Sequence, residues 1–160
     1  MSAFLHSEVS IRFMYLRDAK KIYTTSGIAY ETPASVGLDL RACIEETSLT
    51  ILPGERETIP CGIAIEPLEK NIAGFVYSRS GLGAIHGLTV AQGVGVIDPD
   101  YRGEIIVVLL NTAKNPVHVN RGDRIAQLVF QPAFQVSLVE TQQLDNTSRG
   151  SFGFGHTGKN

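Results

Sequence analysis

The chain has 160 residues, 43% hydrophobic and 19% charged, with 16 Gly and 7 Pro, which excludes a disordered or coiled-coil chain and suits one turn-rich domain able to bury its own core. A formal net charge of −2 leaves no overall basic field for DNA or an acidic membrane surface, so an anion must be held locally. Cys43 and Cys61 are too few for a secreted disulfide framework and form no CxxC pair, and His6, His86, His118 and His156 are too scattered for a zinc site.

In chain order, the opening MSAFLHSEVSIRF lacks the basic and continuous apolar regions of a signal peptide. Runs rich in β-formers then recur: Val9–Tyr15, Leu38–Cys43, Ser48–Leu52, Gly62–Ile65, Ile72–Tyr77, Glu104–Asn111, Val117–Val119 and Ile125–Phe130. Pro53-Gly54, Asp98-Pro99-Asp100, Asn115-Pro116 and Arg121-Gly122-Asp123 supply turn chemistry between them. Only the Ser80–Ala84 neighbourhood predicts a brief helix. The longest uncharged stretch, Gly81–Ile97, is broken by glycines and a histidine, so no membrane span is expected and a reducing cytoplasm fits best. Eight or more short strands at this spacing predict an all-β sandwich or jelly roll, not an α/β nucleotide-binding fold. Residues 1–148 form the expected β domain, and 149–160 a Gly-rich C-terminal arm carrying Arg149, Ser151, Phe152 and Phe154.

Four segments carry residue types suited to anion or proton chemistry. Tyr77-Ser78-Arg79-Ser80-Gly81-Leu82-Gly83 offers a guanidinium, hydroxyls and glycine-exposed amides, the ingredients of a phosphate cradle, without P-loop spacing. Taken alone it reads more readily as a Ser/Gly turn with a surface arginine. Gly95–Glu104 (GVIDPDYRGE) places two carboxylates, an aromatic and an arginine in one turn; Asp-Pro-Asp is ordinarily only a β-turn, but Asp98 aimed into a pocket could deprotonate a water. Gly37-Leu38-Asp39-Leu40-Arg41 sets Asp39 and Arg41 on the face opposite two leucines, as strand alternation demands. Asp123 and Arg124, in Gly122–Phe130, read either as turn-fixing residues or as part of a site. In the tail, glycine amides beside Arg149 read either as a frayed end or as a flap able to close over phosphates.

In sequence order, ASVGLDLRA (Ala34–Ala42), YSRSGLG (Tyr77–Gly83), GVIDPDYRGE (Gly95–Glu104), GDRIAQLVF (Gly122–Phe130) and RGSFGFGHTG (Arg149–Gly158) resemble the five motifs of the trimeric dUTPase family. The resemblance implies jelly-roll subunits in a homotrimer, with sites at subunit interfaces that hydrolyse dUTP to dUMP and pyrophosphate. That reaction keeps uracil out of DNA and supplies dUMP for thymidylate synthesis. It implies Asp98 as the base for water attack on the α-phosphorus, with Mg²⁺ on the phosphates and Asp39 reaching the hydrated ion only through water. Arg79, Ser80, Gly81 and Gln127 match residues on the phosphate chain, and Arg149 and Ser151 match contacts to the outer phosphates. Tyr101 matches the aromatic packed on deoxyribose, and Phe154 the tail aromatic over uracil. The base itself would be read by the hairpin from Gln92 to Asp98, including Val96 and Ile97. Two positions depart from the family pattern: Gln92 stands where many members carry Asn, and Phe152 where many carry a small residue. The related dCTP deaminases usually need a glutamate in the uracil-reading strand, and Leu88–Ile97 has none.

Overall fold

Strand alternation decides which side chains enter the core, and in this chain it does so along many short segments. The computed structural model describes residues 9–23 and 27–153. Among them lie strands β1 (Ile11–Tyr15), β2 (Gly37–Arg41), β3 (Ser48–Ile51), β4 (Arg56–Pro60), β5 (Ile63–Pro67) and β6 (Ile72–Tyr77). Helix α1 (Ser80–His86) follows, then β7 (Leu88–Val90), β8 (Val94–Ile97), β9 (Ile106–Asn111), β10 (Val117–Asn120) and β11 (Arg124–Pro132). Every pairing is antiparallel.

The pairings nest. β2 lies against β11, β3 against β10 and β4 against β9, so the two halves of the chain run back along each other and roll up together. This is the jelly-roll-like all-β fold that the strand spacing predicts. Leu40, Ile51, Ile59, Ile63, Leu88, Ile105, Leu109, Ile125 and Leu128 are each essentially sealed from solvent in one continuous core, at ~1.5–3 kcal/mol per fully buried side chain. Cys43 and Cys61 are free thiols within that core, and burial pushes both thiols up from their ordinary pKa. Among the described residues no helix is long and apolar enough to cross a membrane.

Three strands are absent from the sequence reading. β4 (RETIP) buries Ile59 fully and little else, and it runs along the edge of the β4-β9-β7 sheet, where a terminal proline is tolerated. β7 has only three residues, and β8 alternates glycine with valine weakly enough to read as a hairpin loop. The helix runs to His86 rather than Ala84, and a short 3-10 turn spans Ala19–Lys21.

Gly62, between β4 and β5, has φ +68°, and a Cβ there would sit 2.3 Å from the Ala19 Cβ and 2.8 Å from the Cys43 Sγ. Overpacking costs ~1–3 kcal/mol and a left-handed non-glycine residue roughly 1–2 more. Gly62→Ala should therefore lose at least about 2 kcal/mol in a urea titration, and an unchanged midpoint would show that this corner relaxes freely.

Candidate active site

The sheet register assembles the first half of the site. Gln127 on β11 stands opposite Asp39 on β2 and, on its other side, opposite Tyr77 on β6. Directly opposed residues share a face, so Asp39 and Gln127 are brought together and the chain leaving β6 delivers Arg79 beside them. Arg79 Nε donates to Asp39 Oδ1 at 2.8 Å, and Arg124 NH1 donates to Asp39 Oδ2 at 3.2 Å. Arg124 also pairs with Glu31 at 3.1 Å, while Arg79 NH1 donates to the Arg124 carbonyl at 3.2 Å. Two guanidiniums are thus held in place by one half-buried carboxylate, with N–H donors to spare for an anion.

Gln127 Nε2 donates to the Ser78 carbonyl at 3.0 Å. Its side chain lies so close over Gly37 that a Cβ there would meet Gln127 Oε1 at 2.5 Å. Ser80 and Gly81 open helix α1, and a Cβ on Gly81 would meet nothing within 4 Å, so packing within the chain does not require glycine there. Glu31, Ser35, Val36, Gly37, Asp39, Arg79, Ser80, Gly81 and Gln127 line a cavity of about 300 Å³.

The second half lies at the edge of the same sheet, where among the described residues β8 pairs only with β6 in the order β2-β11-β6-β8. Gln92, Val96, Ile97, Asp98 and Tyr101 line a separate cavity of about 240 Å³ together with Gly95, Glu104 and core residues of β6, β7 and β9. Asp98 directly follows β8, and its carbonyl accepts the Tyr101 N–H at 3.0 Å. Among the described residues none donates to its carboxylate. The turn is braced from one side by Arg102, whose NH1 donates to the Pro99 carbonyl at 2.8 Å and the Tyr101 carbonyl at 3.1 Å. Arg102 NH2 pairs with Glu66 at 3.4 Å, and Glu66 with Arg12 at 2.7 Å. On the other side the Tyr101 hydroxyl donates to the Glu104 carbonyl at 3.1 Å.

The two cavities share no lining residue. Asp98, Tyr101 and Gln92 are brought together in one, and Asp39, Arg79, Ser80, Gly81 and Gln127 in the other. Arg149 and Ser151 line neither: they lie in an exposed turn where Arg149 Nε donates to the Phe152 carbonyl at 3.0 Å. Phe154 lies outside the described residues. Arg41 donates to the Gly122 carbonyl at 2.9 Å, and Asp123 accepts the Asn120 N–H at 2.8 Å, so these two fix the turn before β11. Arg124 is the residue that sequence reasoning left between turn and site; it faces Asp39. Ser35 lies within the ASVGLDLRA motif with no role of its own assigned from sequence, and nothing in the local sequence marks Glu31.

No group of three or more His, Cys, Asp or Glu suited to hold a metal occurs among the described residues, and both oxygens of Asp39 are engaged by arginines. That donor set fits an ion carried in on phosphates with its own waters, touching Asp39 indirectly, and does not fit a protein-built cage.

A dUTPase family model matches residues 24–158. The deoxyuridine 5′-triphosphate nucleotidohydrolase of Desulfitobacterium hafniense is 44% identical over 152 residues, covering 95% of this chain and 98% of that protein. The one from Shewanella woodyi is 46% identical over 130 residues, covering 81% and 85%. Among solved structures, the dUTPase of Staphylococcus bacteriophage 80alpha with dUpNHpp superposes with a TM-score of 0.79 at 20% identity, covering 93% of this chain and 98% of the phage chain. A phage phi11 dUTPase mutant, described for its coordination of a structural Mg(II) ion, gives 0.72 at 18% identity, covering 86% and 99%. With the family model spanning most of the chain and relatives above 40% identity along nearly its whole length, the chain belongs to the dUTPase family of dUTP-hydrolysing enzymes.

Proposed function

We propose that this dUTPase hydrolyses dUTP to dUMP and pyrophosphate at sites shared between the subunits of a homotrimer, by attack of water on the α-phosphorus. One observation carries the shared-site reading: the base-and-sugar residues and the phosphate residues occupy cavities with no residue in common. A second copy of the chain supplies the missing half to each. The segment after β11 supports this, since Phe134, Val136, Leu138, Val139 and Leu144 are all at least 75% exposed, a row of apolar side chains that calls for a protein surface to cover it.

In the assembled site the hairpin from Gln92 to Asp98 presents main-chain N–H and C=O groups to uracil, flanked by Val96 and Ile97, and Tyr101 packs on the deoxyribose. Arg79, Ser80, Gly81 and Gln127 donate to the phosphate chain, stabilising charge as it builds up during displacement. Asp98 takes the proton of the attacking water. Arg149 and Ser151, in the arm of residues 149–160, close over the outer phosphates, with Phe154 over the base. Mg²⁺ bound with the triphosphate would neutralise phosphate charge, and Asp39 would reach it through water. The product dUMP serves thymidylate synthesis, and removal of dUTP keeps uracil out of DNA.

Pyrophosphate release, followed with dUTP and with dCTP and repeated after EDTA, tests this reading. Cytosine reverses donor and acceptor at two positions, each mismatch costing ~1–3 kcal/mol, so dCTP should be turned over at least about thirtyfold more slowly than dUTP. EDTA should abolish the dUTP signal and added Mg²⁺ restore it. Equal rates on the two nucleotides, or full activity in EDTA, would reject the corresponding part.

A further inference from the structure

Beneath the Asp98–Glu104 turn lies a cluster of contacts that the reaction does not itself use. Arg17 has φ +54°, a left-handed conformation uncommon for any residue but glycine and a sign of local constraint. Its Nε donates to both Glu104 oxygens, at 3.0 and 3.1 Å. Glu104 Oε1 also accepts the Gly62 N–H at 2.8 Å, and the Gly62 carbonyl accepts the Leu16 N–H at 2.8 Å. The Glu104 side chain is only 15% exposed, so its charge is matched locally by one guanidinium and one amide.

This cluster bears on Tyr101. The turn's own main-chain bonds stop at Tyr101 N–H to Asp98 and resume at Ile105 N–H to Ile63. Between them the chain is tied down through the Glu104 side chain and through Arg102. The Glu104 carbonyl receives the Tyr101 hydroxyl, and the ring lies across Gly103 so closely that a Cβ there would be 2.3 Å from the Tyr101 Oη. The tyrosine therefore takes its orientation from where Glu104 is held.

We propose that Arg17 and Glu104 form a positioning pair that holds Tyr101 in the attitude that excludes a 2′-hydroxyl, so that sugar selection depends on a residue more than eighty positions away in sequence that touches no substrate. This rests on the reading of Tyr101 as the neighbour of the sugar. Arg17 is paired as well with Glu45 at 3.9 Å, but that carboxylate is 89% exposed and contributes little.

The test compares kcat/KM for UTP and dUTP in Arg17→Gly, Arg17→Lys, Tyr101→Ala and the Arg17→Gly/Tyr101→Ala double variant. Glycine suits the left-handed backbone at position 17 while removing the guanidinium. Tyr101→Ala should raise the UTP-to-dUTP ratio at least tenfold, and Arg17→Gly about three- to tenfold, through a lower KM for UTP with kcat on dUTP within twofold of wild type. Arg17→Lys should return the ratio to within twofold of wild type, and the double variant should match Tyr101→Ala. An unchanged ratio in Arg17→Gly beside a raised one in Tyr101→Ala overturns the positioning pair alone, as does full additivity in the double variant. An unchanged ratio in Tyr101→Ala overturns the sugar reading, and the pair with it. Should Arg17→Gly not fold, Glu104→Gln carries the same test: it keeps an acceptor for Gly62 and loses the charge that holds Arg17, and a wild-type ratio there counts against the pair.

Discussion

Asp98→Asn is expected to lower kcat on dUTP by about 10²–10⁴, the usual worth of a positioned general base, while the affinity for dUpNHpp stays within a few-fold of wild type. Asp98 and Glu104 both line the 240 Å³ cavity; among the described residues Asp98 is committed to no donor, whereas Glu104, Asp39, Asp18 and Asp123 are each engaged by arginine or amide groups. The turn that carries it is shaped by its neighbours: by Tyr101 N–H on the Asp98 carbonyl, by Arg102 on the Pro99 and Tyr101 carbonyls, and by Glu104. An isosteric amide leaves all of those contacts in place, so the loss should fall on the chemical step and spare binding. Single-turnover rates and analogue titration separate the two. Near-normal turnover in Asp98→Asn would remove this residue from the mechanism, and weakened analogue binding in step with kcat would make it a binding residue instead.

Much of this site was legible because its motifs are local. Tyr77–Gly83 and Gly95–Glu104 each place several functional groups within ten residues, and turn chemistry at Asp98-Pro99-Asp100 announces the hairpin end that the structure has there. What escaped notice depends on contacts distant in sequence. Strict alternation back from Gln127 would put Arg124 on the opposite face from Asp39, but the β2–β11 register shifts between Arg124 and Ala126, so Ile125 and Ala126 are both buried and Arg124 turns toward the carboxylate. Nothing in DRIAQ signals that bulge. Glu104 reads as the first residue of a strand, yet the ladder begins at Ile106 because the Glu104 side chain is drawn to Gly62 and Arg17, eighty-seven residues from the latter. The motif marks Arg149 as a phosphate contact, but in the isolated chain its donors fold back onto the Phe152 and Gly153 carbonyls, a local turn helped by Gly150 at φ +54°. On the proposed reading, a nucleotide has to displace those bonds before Arg149 can meet its phosphates.

The separation of the two cavities leads to a sharper experiment than any single substitution. If the arm reaches a neighbour's hairpin, the Asp98 and the Arg149 of one site come from different subunits, and two inactive proteins should rescue each other. One is Asp98→Asn with its arm intact; the other keeps Asp98 but ends at Thr147. Each homotrimer lacks either the base or the phosphate-covering arm at every site, so each alone should be almost inactive. Unfolded and refolded together in equal amounts, chains assemble at random, and under cyclic symmetry about a quarter of sites then draw an intact Asp98 and an intact arm from different chains. Activity should return to about that fraction of wild type, and it should rise and fall with the mixing ratio as the product of the two chain fractions. A tag on one protein alone establishes that mixed assemblies form. If they form and no activity returns, the arm covers the hairpin of its own subunit and not that of a neighbour.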